Sequence, residues 1–413
     1  MQRRLEPPAS VPSASRPATV ELSGRPDGAF SSFYQQLDSL SEGRARRVRV
    51  SLWGDSHVAG AVLPARLRKR LQERLGNGGP GFVLLGRPWR SYRHLQVKME
   101  ESPRRVVWRA ERLWSRYSRR RPQPRDDLFG LAGISVHARR SAFVRIAPRE
   151  RRDSFAALDL YYLRQPGGGR IVVQADGQRV RWVLTVGSEK EPGFARVELP
   201  RGTRKVELVS GSVGEVRLYG ADLDSGEPGV VLDAFGINGA RASSIGDWNE
   251  GLMTAQLKRL APDLIVLAYG SNEVDQEGVS PARLRSSFDE VVARMRRMAP
   301  AAGCLVLGPP DQARFDRESG EWRLPAQLDH IIAAQRTVAT ARGCAFWDQR
   351  AAMGGPGSIF SWVNADPPLA RNDHVHLHGE GYRRVADALY EALMQDWQRH
   401  RQRQRTPDAV VRR

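Results

Sequence analysis

Short apolar runs alternate with amphipathic helical stretches through residues 228–397, and this alternation constrains the fold more than any other feature of the chain. Strands are expected at 230–234, 264–268, 304–308 and 344–348. Helices are expected from Ser243, over 281–298, over 324–341, and last where Val385, Leu389, Leu393 and Trp397 share one face. A helix between two strands brings the chain back to the same end of the sheet, so the strands pair in parallel. One more strand, 48–53, lies far upstream and leads into a helix carrying Val62, Leu63, Leu67 and Leu71. The fold class is therefore α/β with a doubly wound parallel sheet.

The first strand is separated from the rest by a block of different texture. Candidate strands at 134–137, 142–146, 157–163, 170–175, 180–185, 195–199, 205–209 and 213–219 are joined by turn sequences such as Asp176-Gly177 and Pro166-Gly167-Gly168-Gly169. Short strands this closely spaced, without helices between them, predict an inserted all-β sandwich or jelly roll. The expected organisation is a flexible linker at 1–25, the first part of the α/β domain at 26–99, the insert at 100–227, the second part of the α/β domain at 228–397, and a basic tail at 398–413. A short amphipathic helix with Phe30, Phe33, Tyr34, Leu37 and Leu40 precedes the first strand. The glycine-rich stretch 76–81 follows a helix and precedes a short strand expected at 82–85, the reverse of a phosphate cradle, so it is read as a turn or a rim.

A net charge of +19 would suit a polyanionic partner, but all but five of the 65 basic residues are arginines, scattered outside any nucleic-acid-binding motif. Contact with anionic envelope surfaces fits this charge; a dedicated nucleic-acid function does not. No apolar stretch is long enough to span a bilayer. Residues 1–25 lack an apolar signal core and read as a linker of the kind that often follows an export signal or lipid anchor. The two cysteines, Cys304 and Cys344, lie in core-strand runs, either as buried thiols or as a bridge between neighbouring strands.

Reacting groups of an open α/β sheet gather beyond the carboxyl ends of its strands. The loop after 48–53 reads Gly54-Asp55-Ser56-His57, where Ser56 is a nucleophile candidate or, with Asp55, a helix cap. The loop after 230–234 holds Gly239, whose backbone N–H could approach a substrate oxygen, or which simply turns the chain. The loop after 264–268 holds Asn272, an amide donor or an Asx turn. Before the last helix comes Asn372-Asp373-His374-Val375-His376-Leu377-His378, in which Asp373 could orient His376 toward a serine. The three alternating histidines raise a metal site, but no further ligand motif accompanies them, so no metal or cofactor is expected and His374 and His378 are read as polar loop residues.

These four blocks, in this order, resemble the SGNH/GDSL hydrolases. His57 stands where that family commonly has leucine, and Glu273 where aspartate is commoner. The resemblance implies a three-layer α/β/α, flavodoxin-like domain and a serine esterase. Its triad would be Ser56, Asp373 and His376, and its oxyanion hole Ser56, Gly239 and Asn272. An inserted β-sandwich and a serine followed by histidine are similar to the peptidoglycan O-acetylesterases. That similarity implies an O-acylated cell-envelope glycan as substrate, an envelope location and a carbohydrate-binding-module-like insert. His57, Trp89 and Tyr92 are expected to touch substrate, and Trp182, Tyr161, Tyr162 and Tyr219 are either sugar platforms or core of the insert. An O-acyltransferase using the same residues, a lipase, or a non-catalytic glycan-binding envelope protein are the competing readings. Composition does not reveal the oligomeric state.

Overall fold

The computed structural model describes residues 19–24, 29–102, 108–112, 126–276 and 278–405. The arginine pairs and runs at 104–105 and 119–121, most of the linker and the end of the basic tail lie outside the described residues.

Five parallel strands form the central sheet: β1 (Arg47–Gly54), β2 (Gly229–Gly236), β3 (Leu264–Ala268), β4 (Gly303–Leu307) and β5 (Ala345–Trp347), in the order β2-β1-β3-β4-β5. This is the doubly wound, flavodoxin-like order, whose direction of winding reverses at β1 and opens a crevice between β1 and β3. Every residue of β4 and β5 is buried, as parallel strands covered on both faces require. Helices Ala29–Ser41, Val62–Leu75 and Gly379–Arg405 pack on one face through Phe33, Leu37, Leu67, Leu71, Leu389 and Leu393. Helices Glu250–Leu260, Pro281–Met298 and Gln327–Ala341 cover the other through Leu257, Val291, Met295 and Val338.

The insert is a sandwich of two antiparallel sheets. One runs Glu191–Thr203, Phe155–Arg164, Val216–Asp224, Ile134–Ala138, Arg109–Arg112; the other runs Val97–Glu101, Ala142–Pro148, Val206–Ser210, Arg170–Ala175, Gln178–Leu184. Their facing side chains, among them Val144, Ile146, Leu158, Leu160, Val173, Leu208 and Leu218, form a separate core. The β sheets begin upstream of residue 100: Gly81–Val83 pairs with Val216–Asp224 and Val97–Glu101 pairs with Ala142–Pro148. Downstream, the last helix runs on to Arg405, past the expected start of a tail at 398. Residues 19–24 also bear on the core, for Ser23 bridges to Phe346 beside the edge strand β5 and Leu22 is buried.

Tyr161, Tyr162 and Tyr219 are all buried: Tyr162 faces the insert's own core, whereas Tyr161 and Tyr219 pack into the core between the insert and the central sheet. Only Trp182 of the four aromatics is exposed, at 44%, and Arg170 covers its ring at 3.8 Å. Cys304 and Cys344 form a disulfide, with Cα atoms 4.6 Å apart on the neighbouring strands β4 and β5.

Candidate active site

β1 ends at Gly54 and turns at once into a one-turn helix, Ser56–Ala59. Asp55 caps it, its Oδ1 accepting the His57 backbone N–H at 2.9 Å. Gly54 is required by packing: a Cβ there would lie 2.4 Å from Val58 Cγ2 and 2.6 Å from the Ala268 carbonyl oxygen. The turn thus seats Ser56 against the end of β3, and both the helix-cap and the nucleophile readings of this tetrapeptide fit one geometry.

Ser56 Oγ lies 2.9 Å from His376 Nε2, across 320 residues of sequence. His376 Nδ1 lies 2.8 Å from Asp373 Oδ2, so the ring carries its proton on Nδ1 and presents a bare Nε2 to the serine. The Asp373 carboxylate is itself held by its loop, with Oδ1 accepting the backbone N–H groups of Val375 at 3.0 Å and His376 at 2.9 Å. Partial burial would raise the Asp373 pKa, but the His376 ring and these backbone donors reverse that and hold it well below its ordinary value. An ionised carboxylate therefore backs the imidazole throughout the neutral range.

These groups open into a cavity of about 550 Å³ lined by Ser56, Asn238, Gly239, Ser271, Asn272, Asp275, Arg314, Asp373, Val375 and His376. Gly239 adopts φ +76°, a left-handed conformation that glycine enters without a steric penalty, in the tight turn closed by the Ala240 N–H to the Ile237 carbonyl. Asn272 enters the first turn after β3 and donates its amide to the Ala240 carbonyl at 3.0 Å, tying the two loops together. Behind them, burial pushes both Asp55 and Glu273 up to about 7; Glu273 Oε1 accepts the Ala242 N–H at 2.7 Å, fixing the loop after β2 to the loop after β3.

The structure brings Ser56, Gly239, Asn272, Asp373 and His376 to one cavity, and keeps the expected substrate contacts away from it. His57 is buried under the His376 ring. Trp89 and Tyr92 pack edge to face at 5.2 Å beside Arg68 and His94, and Tyr92 Oη accepts the Leu84 N–H. Their loop folds back on the sandwich side of the sheet, which the sequence pattern does not reveal. The three loop histidines also part ways. His376 faces Ser56, His378 is exposed, and His374 is buried with its ring 3.8 Å from that of Trp322, correcting its reading as a polar loop residue. Among the described residues no group of three or more His, Cys, Asp or Glu is arranged to hold a metal ion.

Two lining residues escaped the sequence reading. Arg314 stands on a hairpin, Arg314–Asp316 with Glu321–Arg323, and pairs with Asp275 at 2.9 Å on the cavity wall. The available signal was position: the hairpin follows β4, so it too belongs to a carboxyl-end loop.

Residues 208–384 match the GDSL-like lipase/acylhydrolase family, a segment that includes Gly239, Asn272, Asp373 and His376 but not Ser56. Over 89% of this chain and 96% of its own length, a solved peptidoglycan O-acetylesterase structure superposes with a TM-score of 0.75 at 25% identity. Residues 208–384 thus carry a GDSL-like lipase/acylhydrolase domain, within a chain that has the SGNH hydrolase fold. Two other solved structures align less well. An acetyl xylan esterase shares 19% identity over 40% of this chain and 80% of its own, with a TM-score of 0.30. A carbohydrate acetylesterase from Sinorhizobium meliloti shares 15% over 40% and 79%, with a TM-score of 0.31. No curated protein sequence matches. With an acylhydrolase domain, a parallel central sheet of SGNH type and an all-β insertion, the protein is a carboxylic ester hydrolase.

Proposed function

We propose that the enzyme removes O-acetyl groups from a bacterial cell-envelope glycan, with peptidoglycan as substrate. The observation that carries this reading is the hydrogen-bonded line Ser56–His376–Asp373 opening into a polar cavity, in a chain that follows a peptidoglycan O-acetylesterase along 89% of its length. Val375 is the one aliphatic side chain in the cavity lining, so a long acyl chain would find no apolar wall, whereas an acetyl group on a hydroxylated sugar needs none. The Arg314–Asp275 pair offers donors and an acceptor to sugar hydroxyls at the same wall. The disulfide between Cys304 and Cys344 accords with an oxidising compartment and hence with the envelope.

In this mechanism Ser56 Oγ attacks the acetyl carbonyl while His376 Nε2 takes its proton, and Asp373 stabilises the imidazolium. The oxyanion receives the backbone N–H groups of Ser56 and Gly239 and the Asn272 amide. Collapse expels the sugar oxygen, which His376 protonates. Water, deprotonated by His376, then attacks the acetyl-enzyme, releasing acetate and returning the proton to Ser56.

The test is acetate release from O-acetylated peptidoglycan, O-acetylated xylan and p-nitrophenyl acetate by the wild type, Ser56→Ala and His376→Ala. Release from peptidoglycan that vanishes in both variants is expected. Retention in both would refute the catalytic assignment, and activity confined to p-nitrophenyl acetate would refute the glycan.

A further inference from the structure

His57 has no part in the mechanism above, yet it is tied to it on two sides. Its ring lies parallel to that of His376, with centroids 5.4 Å apart and planes 29° apart, and its Nδ1 is 3.0 Å from Tyr382 Oη. Tyr382 belongs to the first turn of the last helix, directly after the loop that carries Asp373 and His376, and the backbone N–H of that loop's Leu377 faces the same hydroxyl oxygen. The Tyr382 hydroxyl thus ties the His57 ring to the loop that carries the base. Burial first, and the neighbouring His376 second, hold His57 down at about 3, so it is a neutral ring at any working pH. Leucine, common at this position in the family, would fill the space but could neither bond Tyr382 nor present a π face.

Resting on the reading of His376 as the base, we propose that His57 is a positioning residue: a neutral imidazole, braced by Tyr382, that supports the face of the His376 ring and stabilises the imidazolium formed there during turnover. The ring of His376 must meet Ser56 on one nitrogen and Asp373 on the other, and it is about one-third exposed, so its outer face is not confined by packing alone. A flat neighbour on the buried side removes the rotations that would break either bond. Because the support is electrostatic as well as steric, it acts more on the charged ring than on the neutral one.

The experiment measures kcat, KM and the pH profile of kcat/KM on p-nitrophenyl acetate for the wild type, His57→Leu, His57→Phe, Tyr382→Phe, His57→Leu/Tyr382→Phe and Ser56→Ala, each matched for folded fraction by circular dichroism. His57→Leu is expected to lower kcat by about two- to tenfold, the range of an aromatic contact, with KM little changed. Its acid limb moves to lower pH, because the imidazolium has lost a stabilising face. His57→Phe, which keeps the face, loses less, and the double variant loses no more than His57→Leu alone. A purely structural role would lower the active fraction without moving the acid limb. Wild-type kcat and an unmoved limb in folded His57→Leu, with Ser56→Ala inactive, would overturn the inference alone; turnover surviving in Ser56→Ala would overturn the reading beneath it.

Discussion

Replacing Arg49 by methionine removes a charge from the junction between the central sheet and the sandwich while keeping an apolar stem of similar reach. The guanidinium is 3% exposed; its Nη1 lies 2.8 and 3.0 Å from the two oxygens of Asp233 on β2, and its Nη2 lies 2.5 Å from Asp222 on the sandwich strand Val216–Asp224. Burial alone would lower the Arg49 pKa, but the two carboxylates reverse this and leave it raised. Without Arg49, Asp233 keeps the Ser51 hydroxyl at 2.7 Å and the Phe82 N–H at 2.9 Å, whereas Asp222 keeps only Arg47 at 3.7 Å. Breaking a buried pair from one side costs about 3–5 kcal/mol, a large part of the ~5–15 kcal/mol by which proteins are stable.

The sign of the pH dependence follows from Asp222, whose pKa burial already raises and Arg49 pulls back. Losing Arg49 raises it further, so the folded variant binds a proton more readily than its unfolded chain, and the variant regains stability as pH falls. Urea unfolding followed by tryptophan fluorescence at pH 8 and pH 5.5 is the assay. Arg49→Met should lose about 3–5 kcal/mol at pH 8 and less at pH 5.5, and Arg49→Met/Asp222→Asn should recover part of the loss. A deficit below about 1 kcal/mol at pH 8, or one equal at both pH values, would refute the reasoning.

Two further outcomes are expected. Asn272→Ala should reduce kcat/KM on p-nitrophenyl acetate by about 10²–10³, the usual effect of losing one oxyanion donor, and a loss under fivefold would remove Asn272 from that role. Cys304→Ala/Cys344→Ala should destabilise the protein by about 2–4 kcal/mol, since the bond closes a loop with a sequence separation of 40 residues, yet leave esterase turnover at 25 °C intact, because both cysteines lie at the amino ends of β4 and β5, away from the site. Equal melting temperatures for the variant and the wild type would count against a structural bond.

What could be read from the sequence is what local chemistry and period determine. The core strands are continuous apolar runs, and the helix at Pro281–Met298 announces itself by Ser280 as its cap and Leu284, Phe288, Val291, Val292 and Met295 at helical spacing. Ser56, Gly239 and Asn272 could be nominated because strand ends are few and each of the three follows one, and Asp373 and His376 because their spacing, just before the last helix, suits an orienting carboxylate and a base. Direction within a loop is another matter: His57, Trp89 and Tyr92 were expected at the substrate, and their side chains turn into the protein because of contacts with Tyr382, Arg68 and Leu84 that lie far away or in another element. The short strand expected at 82–85 is present as Gly81–Val83, whereas Val97–Glu101 alternates charge with apolar residues and does not stand out as a strand until the sandwich supplies its partner. Arg314 was missed because the hairpin bearing it is polar, short and set by tertiary contact, its Trp322 resting on His374.

The position of the insertion bears on the site itself. It leaves the chain after β1 and the helix Val62–Leu75 and returns at β2, and the two strands pair along their whole length, from Arg47 with Gly229 to Gly54 with Gly236. The sandwich strand Val216–Asp224 hands directly on to β2, and Asp222 on the one and Asp233 on the other meet the same Arg49 of β1. The carboxyl ends of β1 and β2 carry Ser56 and Gly239, two of the three proposed oxyanion donors. The helix of this crossover, Val62–Leu75, covers the opposite face of the sheet with Leu63, Leu67 and Leu71. The sandwich adds Leu131, Ile134, Tyr161 and Tyr219 to the core on the other face, around Trp53 and Phe235, the residues just before the two turns. The insertion therefore buttresses the strand ends from which the proposed oxyanion donors project.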